Sequence, residues 1–304
     1  MVLRSVLLFL SRQTRLRRWM ETSPLAGRLT RRFIAGQTLE RGITVGRCLN
    51  SEGILVTLDH LGENVTSEAE AAVSRDAYVE ALRRIQACGL NASVSIKLTQ
   101  FGLDLSETLC RSNIDSLVAT ANDLGGFVEI DMESHEYIDR TLKLVTEMHR
   151  RYGRVRGVIQ AYLRRSEADA LRLCESGVPV RLCKGAYREP VAIVFPRKSD
   201  VDANYMRLTR MLLERGAYPA MATHDPNMVE QTLRFALEMG IGRERFEFQM
   251  LYGIRRDLQS RLIKDGYRLR LYVPYGDAWY PYFMRRLAER PANVLFILRN
   301  LFRK

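Results

Sequence analysis

Eight times along this chain, a short apolar run rich in β-formers gives way to polar residues and then to a stretch with apolar side chains at helical spacing. No other feature limits the possible folds so strongly. The runs are ILVTLDH (54–60), ASVSIKL (92–98), GFVEIDME (126–133), RGVIQAY (156–162), VPVRLCKG (178–185), PAMATHD (219–225), FEFQML (246–251) and RLRLYVPYG (268–276). Between them, stretches such as SEAEAAVSRDAYVEALRRIQACG and HEYIDRTLKLVTEMHRRYG carry the helical period and end in a glycine stop. Strands that alternate with helices pair in parallel through crossover helices, and eight of them close a barrel. The expectation is an α/β chain: a TIM-type (β/α)8 barrel over residues 46–304, a basic helical arm at 1–45, and a final helix over the barrel mouth. The excursion at 189–204, with Pro190 and Pro196, reads as a rim loop after the fifth strand.

A hydrophobic content of 46% over 304 residues supplies a sizeable core. Cys48, Cys88, Cys110, Cys174 and Cys183 are odd in number and scattered, which fits reduced, buried thiols rather than a disulfide framework. The four histidines form neither H-x-H nor H-E-x-x-H, so no metal site is expected. The net charge of +12 is uneven, because residues 1–41 hold nine arginines and two glutamates. The apolar run at 6–10 is far shorter than the roughly 20 residues that span a bilayer. No clear secretory signal is present, while an organellar presequence, also Arg-rich and acid-poor, stays open. The arm reads either as an amphipathic helix resting on an anionic membrane surface, or as a helix packed on the barrel with its arginines in water. The expected location is cytoplasmic, with peripheral attachment to the inner face of the membrane under the first alternative. Nucleic acid is not an expected partner, since the arm lacks interleaved aromatics apart from Trp19.

Barrel chemistry sits at the C-terminal strand ends. Here those ends offer Lys97, Asp131, Gln160, Arg181, Lys184, Thr223, His224 and Tyr272. Each alone is compatible with a rim charge or a hydrogen-bonded barrel polar group. Together they form a mostly cationic set with one acid, which suits an anionic ligand, since buried charges persist only with partners. Near the end, RRLAERPAN places Arg285 and Arg286 about 100° apart on a helix, within reach of one carboxylate. Glu289 is spaced to brace either fork, and the alternative is a solvated ion-pair face. A strand-end Lys97 or Lys184, its pKa lowered by neighbouring cations, would also suit a Schiff-base lyase.

The motifs taken together resemble the proline dehydrogenase family. They are LDHLGENV (58–65), SIKLTQFG (95–102), EIDME (129–133), QAYLRR (160–165), RLCKGAYRE (181–189), ATHD (222–225), QMLYGI (249–254), YVPYG (272–276) and RRLAER (285–290), in the family's order and in its short monofunctional form. The resemblance implies FAD across the barrel mouth, contacted by Met132, Gln160, Arg181, Lys184, Gly185, Ala186, Thr223 and His224. The absence of G-x-G-x-x-G agrees with a non-Rossmann mode of binding. It also implies L-proline held by its carboxylate through Lys97, Arg285 and Arg286, with its ring against Tyr272. Hydride would leave the carbon next to nitrogen for flavin N5, giving 1-pyrroline-5-carboxylate in the first step of proline catabolism. Arg181 would favour the reduced flavin, Asp131 would orient Lys97 or a water, and Glu63 would pair with the second arginine as a gate. Electrons would pass to a membrane quinone, which would give the basic arm a purpose.

Overall fold

In the computed structural model, eight parallel strands hydrogen-bond in chain order and close on themselves, β8 returning to β1. They are β1 Leu55–His60, β2 Ala92–Ile96, β3 Val128–Ile130, β4 Val155–Gln160, β5 Val180–Cys183, β6 Ala220–Ala222, β7 Glu247–Leu251 and β8 Leu269–Tyr275. The structure describes residues 32–62, 65–280 and 282–284, together with positions 13 and 23. Helix α1 (Leu39–Ser51) leads into β1. The helices between strands are α2 (Glu68–Ala87), α3 (Glu107–Asp123), α4 (Ile138–Tyr152), α5 (Ser166–Glu175), α6 (Lys198–Arg215), α7 (Pro226–Glu238) and α8 (Arg256–Lys264). Ser67, Ser106 and Asp225 cap α2, α3 and α7 by accepting a hydrogen bond from a first-turn backbone N–H.

Strand alternation divides the side chains into two sets. Val56, Leu58, Val94, Ile96, Val128, Ile130, Leu182, Phe248 and Leu271 join the helices in one continuous apolar core. The residues between them, Thr57, Ser93, Glu129, Arg156, Glu247 and Arg270, bond to one another from six strands, and so face the barrel interior. All eight expected strands are present, but six of them stop early. Lys97, Asp131, Lys184, Thr223 and His224 lie just past the last paired residue, where the chain turns out of the barrel.

Helix α1 runs across residue 45, and Ile43 on one side of that point is buried in the same core as Leu49 on the other. Ahead of it, Ala35 N–H donates to Pro274 O at 2.9 Å and Gly276 N–H donates to Gly36 O at 2.9 Å, fastening this segment to β8. The 189–204 excursion divides in two: a rim segment bridged to the β4 loop at Leu163–Val194, then the start of α6. After β8, residues 279, 280 and 282–284 are helical, and Trp279, Tyr280, Phe283 and Met284 are buried. The remainder of the expected final helix, with Arg285, Arg286 and Glu289, lies outside the described residues, as do Glu63 and most of the basic arm. Among the described residues, no helix is long and apolar enough to cross a membrane.

Candidate active site

Asp131, immediately after β3, ties four strands together. Its carboxylate accepts from Ser95 Oγ of β2 at 2.9 Å, Arg181 Nη1 of β5 at 2.5 Å and Tyr272 OH of β8 at 2.9 Å. Lys97 Nζ lies 3.8 Å from the same carboxylate and 3.5 Å from Asp59 Oδ1 on β1. The Arg181 guanidinium stands 5.5 Å from the centre of the Tyr272 ring. Four residues selected from the sequence, Lys97, Asp131, Arg181 and Tyr272, are therefore brought into one constellation.

Its electrostatics are less one-sided than expected. Asp59 and Glu133 join Asp131, with Glu129 one layer below, so the described mouth is not a cationic set with one acid. Burial alone would lower the Lys97 pKa, but Asp59 and Asp131 outweigh it and hold the ammonium above its ordinary value. That lysine is a fixed cation, the opposite of the depressed amine a Schiff-base route needs. Burial, reinforced by Asp131, raises the Tyr272 hydroxyl well above its ordinary value, so it remains a donor. Burial also pushes Glu133 up to about 7, against the Thr99 hydroxyl, which donates to it at 2.9 Å, and against Lys97.

The residues expected to meet a cofactor follow on the ends of β3 to β6. Gln160 Nε2 donates to Met132 O at 3.2 Å, while its Oε1 is buried with no hydrogen-bond partner. Lys184 Nζ is shared by Asp202 at 2.6 Å and Asp225 at 3.3 Å. Gly185 has φ +97°, and a Cβ there would land 2.2 Å from the Tyr162 ring, so only glycine lets the β5 chain pass. Ala186 follows, exposed on the rim. Thr223 Oγ1 accepts from Asp225 N–H at 3.1 Å. His224 Nε2 accepts from Leu251 N–H at 2.8 Å, which fixes the ring on the end of β7 and leaves Nδ1 to carry the proton of the neutral form.

Sequence reasoning missed Asp59, Glu129, Gln249, Arg156, Glu247 and Arg270. The signal existed: each of Lys97, Asp131 and Tyr272 has a polar residue two places earlier (Ser95, Glu129 and Arg270), on the same strand face.

A closed (β/α)8 barrel with charged side chains converging at its C-terminal strand ends has the architecture of an enzyme of this fold. The sequence profile of the family described as proline dehydrogenase matches residues 44–299. Over 304 residues the chain is 40% identical to proline dehydrogenase 1 of Bacillus subtilis (strain 168), with both chains covered in full. It is 41% identical to the proline dehydrogenase of Deinococcus radiodurans, covering 90% of each. Among solved structures, proline utilization A from Bdellovibrio bacteriovorus, inactivated by N-propargylglycine, superposes with a TM-score of 0.83 at 27% identity over 95% of this chain. This chain spans about a third (36%) of that longer one. The chain belongs to the proline dehydrogenase family, oxidoreductases that act on CH–NH donors in proline catabolism and are in general flavin-dependent.

Proposed function

We propose that this chain uses FAD to oxidise L-proline to 1-pyrroline-5-carboxylate and passes the electrons to a membrane quinone. The observation that carries the proposal is the Asp131 constellation, in which one carboxylate fixes Arg181, Tyr272 and Lys97 at the same mouth. The residues present fit a flavin. The unpartnered, buried Gln160 Oε1 is an acceptor waiting for an N–H, and Gly185 keeps the rim free of a side chain. Met132, Gln160, Arg181, Lys184, Gly185, Ala186, Thr223 and His224 would hold the cofactor. When bound, it supplies the two-electron acceptor for the C–H bond beside the ring nitrogen.

The chain's own residues bind and orient the substrate. Lys97, kept protonated by Asp59 and Asp131, offers the substrate carboxylate a fixed positive charge and is not a base. Arg285 and Arg286 would complete that clamp, with Glu63 and Glu289 as its gate. The Tyr272 ring forms a wall against which a pyrrolidine ring packs, its hydroxyl anchored on Asp131. Arg181, buried and positive, stabilises negative charge that develops beside it.

The purified protein should show flavin absorption bands that bleach when proline is added without oxygen. A colourless protein, or bands indifferent to proline, would contradict the proposal. Peripheral attachment of a cytoplasmic enzyme through the basic arm is the accompanying proposal. Sedimentation with anionic liposomes should weaken on deleting residues 1–20, and equal sedimentation would remove the membrane role.

A further inference from the structure

We infer that Glu129 and Gln249, one layer below the mouth, are positioning residues that set the direction of the Arg181 guanidinium and the net charge around it. The inference rests on the flavin reading above. The interior of such a barrel is ordinarily filled by branched apolar side chains. Here Glu129 and Glu247, both fully buried, meet Arg156, Arg181 and Arg270. Buried ion pairs are poor stabilisers, because desolvation offsets their attraction, so their presence asks for another reason.

That reason lies at the upper edge of the network. At mouth level Arg181 hydrogen-bonds to Asp131 at 2.5 Å and Ser95 at 3.4 Å, and Asp131 is shared with Tyr272, Ser95 and Lys97. The contacts from below hold the other two nitrogens. Nη2 donates to Glu129 Oε2 at 2.5 Å and Nε donates to Gln249 Oε1 at 2.5 Å. Gln249 cannot reverse its amide, because its Nε2 donates to both Glu129 at 3.1 Å and Glu247 at 2.7 Å. Thr57 and Ser93 donate to the other Glu129 oxygen at 2.7 and 2.9 Å, so that carboxylate is itself immobile.

The charges balance: Arg156, Arg181 and Arg270 face Glu129, Glu247 and Asp131. Burial would raise the Glu129 pKa, but Arg181, Arg156 and Arg270 hold it well below the carboxylate range, so its charge is permanent at neutral pH. Below, the rings of Phe127 and Tyr218 cover Arg156 at 5.5 and 5.6 Å, and Tyr218, at φ +58°, donates its hydroxyl to Glu247 at 3.1 Å. In such surroundings the loss of the one charge in direct contact with Arg181 from below is weakly screened.

The test is Glu129→Gln in the FAD-loaded enzyme, a change that preserves shape and removes the charge. The flavin reduction equilibrium should move at least tenfold toward the reduced form, about 30 mV for a two-electron couple. The KM for proline should stay within twofold, because Lys97 and its acids are untouched. Glu247→Gln removes an equal charge that does not contact Arg181, and should move the equilibrium less than threefold. Equal potentials in Glu129→Gln and wild type, or an equal shift in both variants, would overturn the inference. Should Glu129→Gln fail to fold, Gln249→Met decides: it loosens Arg181 at constant charge, and kcat should fall at least tenfold at constant KM. An unchanged kcat overturns the inference. A wild-type protein without flavin, or one unresponsive to proline, overturns the functional reading and this inference together, and so is distinguished from a failure confined to the variants.

Discussion

The floor and the mouth of this barrel are built from the same residue types and behave differently. At the floor, Glu129, Arg156, Glu247 and Arg270 pair with one another in the barrel interior, and burial of the two acids is offset by the arginines around them. At the mouth, Lys97 is 30% exposed and Asp131 17% exposed, and Lys97 sits at 3.5–3.8 Å from its acids rather than in tight pairs. The lesson is that an ion pair's work depends on what else surrounds it. Closed on all sides, it is scaffold; left open on one side, it is a site.

The comparison breaks most visibly at Arg156. Replacing Arg156→Met strips two buried carboxylates of a shared partner at 2.7 and 3.2 Å, and should cost on the order of 3–5 kcal/mol in urea unfolding at pH 7. Although burial works against it, Arg156 and Arg270 hold Glu247 down at about 2. Its stabilising contribution is thus present above the ordinary carboxylate pKa of about 4.5 and disappears as pH falls through about 2, and the mutational cost should shrink over that window.

At the mouth the sign reverses. Glu133, raised to about 7, penalises the fold as pH rises from about 4.5 through 7. Glu133→Gln should therefore stabilise the protein by on the order of 3 kcal/mol at pH 8 and by under ~1 kcal/mol at pH 5, read from paired unfolding curves. An equal gain at both pH values would remove this contrast between floor and mouth. Lys97→Met should lower kcat/KM for proline about 100-fold, or ~2.7 kcal/mol, in steady-state assays. Tyr272→Phe removes one hydrogen bond to Asp131 and should cost only about 1 kcal/mol in stability, measured by the same urea unfolding.

Much of the fold was legible because the two periods are written into the chain. Val56, Leu58, Val94 and Ile96 alternate with Thr57, Ser93 and Ser95, and that spacing separates the two faces of each strand. Lys97, Asp131, Arg181 and Tyr272 were legible as strand-end polar residues and from the family motifs. Asp59 was not singled out, though it stands in a quoted motif, because a lone acid beside His60 carries no sign of the lysine 38 positions later that it holds. Glu129, Glu247 and Arg270 read as ordinary charges within β-rich runs. Their partners are on other strands, up to 141 positions apart for Glu129 and Arg270.

The order of amino acids by itself determined that eight strands and their crossover helices would form, and which polar side chains would share a face of each strand, because both follow from near-neighbour spacing. Only the closed barrel decided which acids reach the mouth and the identity of each charge's partner. A pairing energy depends on distance and on the water excluded between the groups, and both are set by segments far apart in the chain.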